Sequence, residues 1–160
     1  MFPYMLNDRR TWRNGAAIGD TFFAKAKLLL GFEGADGATS AADESPPQHA
    51  MTFIGDAQID TAQFKFGSSS CLFDGTGDYL STPNSTDWDL STANSDQFTI
   101  DFQVRPGGGP FSGLGIMGKA GGNGNFGWWW LDELRITKGV ARYASDAGFT
   151  APTAAYPRFG

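Results

Sequence analysis

Asp132 and Glu133 stand side by side inside the segment WWWLDELRI (128–136). Alternate residues of an extended strand share a face. Trp128, Trp130, Asp132, Leu134 and Ile136 therefore fall on one side, and Trp129, Leu131, Glu133 and Arg135 on the other. Leu134 and Ile136 mark the first side as core-facing. That parity puts Asp132 on an apolar face, where an ionised carboxylate costs several kcal/mol unless hydrogen bonds, a cation or a bound proton compensates it. Glu133 and Arg135 read as ordinary surface charges. The same count splits the three tryptophans. Trp128 and Trp130 align with Leu134 and are expected in the core, leaving Trp129 to face a glycan or another subunit.

Little else on the chain is arranged for catalysis. Acid and nucleophile in glycoside cleavage must flank the sugar bond on one face; Asp132 and Glu133, as neighbours, point to opposite faces, and no Glu-x-Asp-x-x-Glu run is present. His49, the single histidine, lies in the loop PPQH with no nucleophile that the sequence assigns to it. Cys71 is alone, so it forms no intrachain disulfide and reads as a small apolar side chain. AGGNGNFG (120–127) is not followed by Lys-Ser/Thr and opens no helix, which makes it a hairpin turn and not a phosphate loop. These readings point away from an enzyme.

The elements that would position these residues are short strands. Twenty-two glycines and eight prolines in 160 residues suit tight turns, and the length suits one core. Strands are expected around 28–32, Met51–Ile54, Gln63–Phe66, Ser69–Phe73, Tyr79–Ser81, Gly113–Lys119 and Phe126–Ile136. The clearest runs from Gln97 to Arg105, where Phe98, Ile100, Phe102 and Val104 alternate with Thr99, Asp101, Gln103 and Arg105. Residues 1–24 carry no such period. There Arg9, Arg10 and Arg13 surround Trp12, suggesting an arm that attaches to another protein, ahead of a domain at 25–160. A net charge of -5 argues against binding a nucleic-acid backbone. No stretch approaches the roughly 20 apolar residues of a membrane helix. The start lacks the order of a secretory signal, so a soluble chain is expected.

Several segments carry a resemblance. LLLGFEGADG (28–37), KFGSSSCLFDGTGDY (65–79), FTIDFQVRP (98–106) and LDELRITKGVARY (131–143), with FTAPTAAYP (149–157) closing the chain, follow one another as blocks do in the laminin-G-like branch of the concanavalin A-like jelly rolls. The versions in bacteriophage virion proteins are the nearest in pattern. The resemblance implies an all-β, antiparallel β-sandwich. It would be internally shortened, because only residues 107–131 stand where relatives carry several more strands. It also implies a non-enzymatic virion component, in capsid decoration, a head fibre or tail attachment, whose partners are other virion proteins and further copies of itself. A lectin-like module for host-surface glycan is the alternative. Relatives often hold a structural calcium, which would place Asp132, with Asp74 from the Asp74-Gly75 turn, as its ligands; capping of backbone N–H groups by Asp132 is the competing account.

Overall fold

In a computed structural model of the chain, residues 11–13, 16–108, 117–118, 128–144 and 148–160 are described, with side chains from residue 19 onward. They form an all-β architecture in which every strand pairing is antiparallel. The strands are β1 (Thr11–Arg13), β2 (Ala16–Ile18), β3 (Ala26–Leu30), β4 (Thr52–Ile54), β5 (Gln58–Asp60), β6 (Ser70–Asp74), β7 (Tyr79–Ser81), β8 (Phe98–Pro106) and β9 (Trp128–Lys138). Single 3-10 turns at Phe23–Lys25 and Thr86–Trp88 are the only helical pieces among the described residues.

β9 organises the main sheet. Along one edge it pairs with β8 from end to end, Phe98 opposite Lys138 and Pro106 opposite Trp129. Its other edge is shared: residues 128–131 pair with β6, and residues 134–137 pair with β3. β5 extends the sheet beyond β6. Between the two partners β9 changes register. Asp101 pairs with Arg135 but Gln103 pairs with Asp132, so three steps on β9 match two on β8. This is a β-bulge, one extra residue on one strand. Glu133 occupies it with φ 54°, a left-handed conformation uncommon outside glycine.

The bulge overturns the alternation read from the sequence. One extra residue moves every side chain beyond it to the other face. Trp129 and Leu131 therefore join Leu134 and Ile136 on the apolar face, together with Leu28, Leu30, Ile59, Cys71 and Phe73. Trp129 packs edge-on against Phe73, with ring centroids 6.1 Å apart. Leu30 and Ile59 in this group are fully buried, each worth about 1.5–3 kcal/mol relative to exposure. Over the apolar face lies a smaller two-stranded sheet, β4 with β7, whose Phe53 and Leu80 pack on the core beside Trp88 and Leu90.

The opposite face of β9 is covered in part by the end of the chain. Ala155 and Tyr156 are buried there, and the Phe159 carbonyl accepts the Asp20 N–H at 2.7 Å, which brings the two ends of the domain together. Gly19 makes this junction close: a β-carbon there would lie 2.9 Å from the Phe159 carbonyl oxygen.

Several expectations fall differently in the fold. Gln63–Phe66 forms bends and not a strand; the strand of that region is β5, which ends three residues earlier. Within the segment read as an arm, residues 11–13 and 16–18 form a small hairpin, and Asp20 is buried against the main sheet. Arg9 and Arg10 lie outside the described residues, as do most of Gly113–Lys119 and the turn at 120–127. Trp12 and Arg13 sit in β1, their side chains outside the described set.

Candidate functional site

The face of β9 turned away from the core divides at the bulge into an open aromatic half and a closed ionic half. On the open half, Trp128 and Trp130 project together, with ring centroids 6.0 Å apart. Trp128 is 50 % exposed. Its backbone carbonyl accepts the Gly107 N–H at 2.7 Å, and its indole lies so close that a β-carbon at Gly107 would sit 2.5 Å from the ring. Glycine is therefore required at 107 by close approach. Trp130 is held by Asp60 of β5, whose carboxylate accepts the indole N–H. Arg105, paired with Trp130 across β8 and β9, places its guanidinium carbon 5.8 Å from the Trp130 ring centroid and donates to the side-chain oxygen of Gln63.

Beside Trp130 opens a cavity of about 340 Å³ whose walls include Phe64, Lys65, Gln103, Arg105 and Asp132. Phe64 is half-exposed, and the Lys65 and Arg105 side chains reach the surface. Asp132 forms the floor. It is 3 % exposed, and its Oδ2 accepts the backbone N–H groups of Lys65 and Phe66 at 2.9 and 2.8 Å. The buried carboxylate thus caps the loop that carries Phe64 and Lys65. Its reason for burial differs from the one read in the sequence: Asp132 lies on the face opposite Leu134, and loop and sheet cover it there.

On the closed half, charges are paired at short range. Arg135 grips Asp101 with two hydrogen bonds of 3.1 and 2.8 Å and also reaches Asp20 at 3.3 Å. Its guanidinium carbon stacks 3.8 Å from the Tyr156 ring centroid. Arg142 holds Asp20 through two bonds of 2.9 and 2.7 Å and donates to Thr137 at 2.7 Å. Burial alone would raise the Asp20 pKa, but the Arg142 hydrogen bonds, the Phe22 N–H and the two positive charges together hold it below the ordinary carboxylate value. Tyr143 donates to Asp101 at 2.6 Å; burial and this bond push its phenol up to about 12. A shallow cavity of about 320 Å³ opens beside this group, lined by Asp20, Phe22, Arg135, Arg142 and Tyr143. Its two guanidinium groups are already engaged by carboxylates.

Glu133 joins the two halves to the chain terminus. It is fully buried. Its Oε2 accepts the Tyr156 N–H at 2.8 Å and its Oε1 accepts from Arg158 at 2.7 Å, while Arg158 also meets Glu44 at 3.0 Å. Neither Glu133 nor Arg135 is the surface charge that simple alternation assigns.

The fold places the remaining sequence candidates elsewhere. Trp129, expected at a glycan or subunit contact, is a core residue instead, because the bulge reverses the strand's faces. Asp74 pairs opposite Trp128, at the other end of the β6 pairing from Asp132, and its Oδ1 accepts the Thr76 N–H in an exposed turn. The buried acid of that turn is Asp78, which accepts the N–H groups of Asp56 and Asp74 at 2.6 Å each. Asp74 and Asp132 thus engage different backbone groups. Among the described residues no cluster of three His, Cys, Asp or Glu side chains is arranged to hold a metal ion. His49 is tucked against Trp88, with ring centroids 4.5 Å apart, and lies 3.1 Å from Asp87. Cys71 is buried in the core, which raises its thiol pKa well above the usual range. No helix among the described residues is long and apolar enough to cross a membrane.

Sequence reasoning missed Lys65, Arg105, Gln63 and Asp60 as members of one surface. Their convergence depends on pairings 25 to 70 residues apart along the chain. The one local signal was Asp132, an acid in an apolar strand whose burial demands compensation whichever face it takes. No family model, curated protein or solved structure matches the chain.

Proposed function

We propose that this chain is a non-enzymatic structural and binding module of a bacteriophage virion, built on a shortened concanavalin A-like, laminin-G-like sheet. It would serve in capsid decoration, a head fibre or tail attachment, contacting other virion proteins and copies of itself. The observation that supports this reading is the use made of the block LDELRITKGVARY. Its acidic pair is engaged in architecture, Asp132 capping the 65–66 loop and Glu133 fastening the C-terminal segment. Its arginines, Arg135 and Arg142, are closed into ion pairs. The blocks at 65–79 and 98–106 supply β6 and β8, the strands that flank β9. Mass spectrometry of purified particles tests the proposal: the chain should appear at a fixed copy number, and its absence from particles would refute a virion role.

A second reading, adhesion to host-surface glycan, is favoured by the outward turn of Trp128 and Trp130. Aromatic faces stack on the apolar faces of pyranose rings, and here two rings share one open surface with amide and charged side chains at their edge. A glycan array separates the readings, since a purely structural component shows no reproducible sugar binding.

A further inference from the structure

Resting on the glycan reading, we infer that the Trp128–Trp130 surface is a subsite for acidic saccharide, a pyranose bearing a carboxylate, held by Arg105 and Lys65. The argument starts from how this chain treats its cations. Acidic residues outnumber lysines and arginines, 17 against 12, and a carboxylate partner is the usual fate of the described arginine side chains. Arg135, Arg142 and Arg158 each have one, and Lys27 pairs with Asp87. Arg105 departs from this pattern. Among the described residues it forms no ion pair, donating instead to the neutral amide of Gln63 and lying over the Trp130 ring. Lys65 likewise forms no ion pair there, its ammonium lying 5.8 Å from the Phe66 ring centroid. Both line the same cavity.

The two acids nearby keep their negative charge but are less exposed than Arg105 and Lys65, so the cations are the outer charges. Asp132 directs Oδ2 into two backbone N–H groups beneath the surface, and Asp60 accepts the Trp130 indole N–H. What faces solvent is an aromatic platform edged by a planar guanidinium and an ammonium. Guanidinium binds carboxylate through two parallel hydrogen bonds, and the platform orients the ring that carries it. The roughly 340 Å³ beside Trp130 is of the size that small-ligand sites occupy. A single-stranded nucleic acid also combines anions with stacking rings, but the net charge of -5 opposes a polyanion that must track a long surface.

The test is titration calorimetry of the whole chain with uronic- and sialic-acid oligosaccharides and with the methyl esters of the same sugars. Esterification removes the charge and keeps the ring faces. At least one acid form should bind about tenfold tighter than its ester. That preference should vanish in Arg105→Gln, shrink in Lys65→Gln and fall as salt rises from about 0.05 to about 0.5 M. Trp128→Ala should weaken acid and ester alike, and thermal melts of each variant should match the parent. Equal binding of acid and ester overturns the acidic subsite while leaving the glycan reading standing. Absence of binding to any of these sugars, or to the neutral glycans of an array, overturns both. Binding of an oligothymidylate with none of the sugars bound assigns the surface to nucleic acid and also overturns the inference.

Discussion

Trp129 and Leu134 lie on the same apolar face of one strand although they stand five positions apart, an odd offset. An unbroken pleat would oppose them. The extra residue at Glu133 brings them together, and it turns Trp128 and Trp130 outward in the same act.

The three tryptophans should therefore respond to truncation in a set order. Trp129→Ala removes a buried ring packed on Phe73 and should cost about 3–5 kcal/mol. Trp128→Ala touches an exposed ring and should change stability by about 1 kcal/mol or less. Urea denaturation of both variants checks this, and the opposite order would place the bulge elsewhere.

Glu133→Ala should destabilise the fold by about 3 kcal/mol, since it strips a buried carboxylate from Arg158 and from the Tyr156 N–H. The loss should be concentrated at the chain's end. Hydrogen exchange of the Tyr156 amide should accelerate more than that of the β8–β9 amides, and uniform acceleration would deny Glu133 its fastening role.

Asp132→Ala should cost about 1–3 kcal/mol by leaving the Lys65 and Phe66 N–H groups without their acceptor. The melting temperature of the parent should be the same with calcium and with a chelator. A rise with calcium that Asp132→Ala abolishes would restore the metal account.

Stability should fall at both pH extremes for separate reasons. Asp20 is held below its unfolded value of 3.8, so its contribution is complete above that pH and is lost as pH drops through the lower folded value. Asp20→Asn should flatten that acid limb. Tyr143 titrates near 12 when folded against 10 when unfolded, so its contribution is complete below pH 10 and is lost as pH rises through 12. Comparing Tyr143→Phe with the parent across this range should show a steeper decline in the parent; parallel curves would contradict the Asp101 bond.

Much of the fold was legible in the residues. The alternation of Phe98 to Val104 identifies β8 and the face of Ile100 and Phe102 that meets the core. Turn glycines bound β6 and β7, with Gly75 and Gly77 both at positive φ as a turn between strands requires. The need of Asp132 for compensation was also visible, because burying charge is costly whichever surface covers it. Tertiary structure alone decided which way β9 faces. A period-two reading assumes an unbroken pleat, and nothing within Trp128 to Lys138 shows that Glu133 breaks it. The left-handed backbone at Glu133 costs about 1–2 kcal/mol locally and is offset by bonds from Tyr156 and Arg158, residues distant in sequence that only the closed chain brings into reach. The outward aromatic surface and the stacking of Arg105 over Trp130 follow from that bulge, so they belong to the fold and not to any local stretch of sequence.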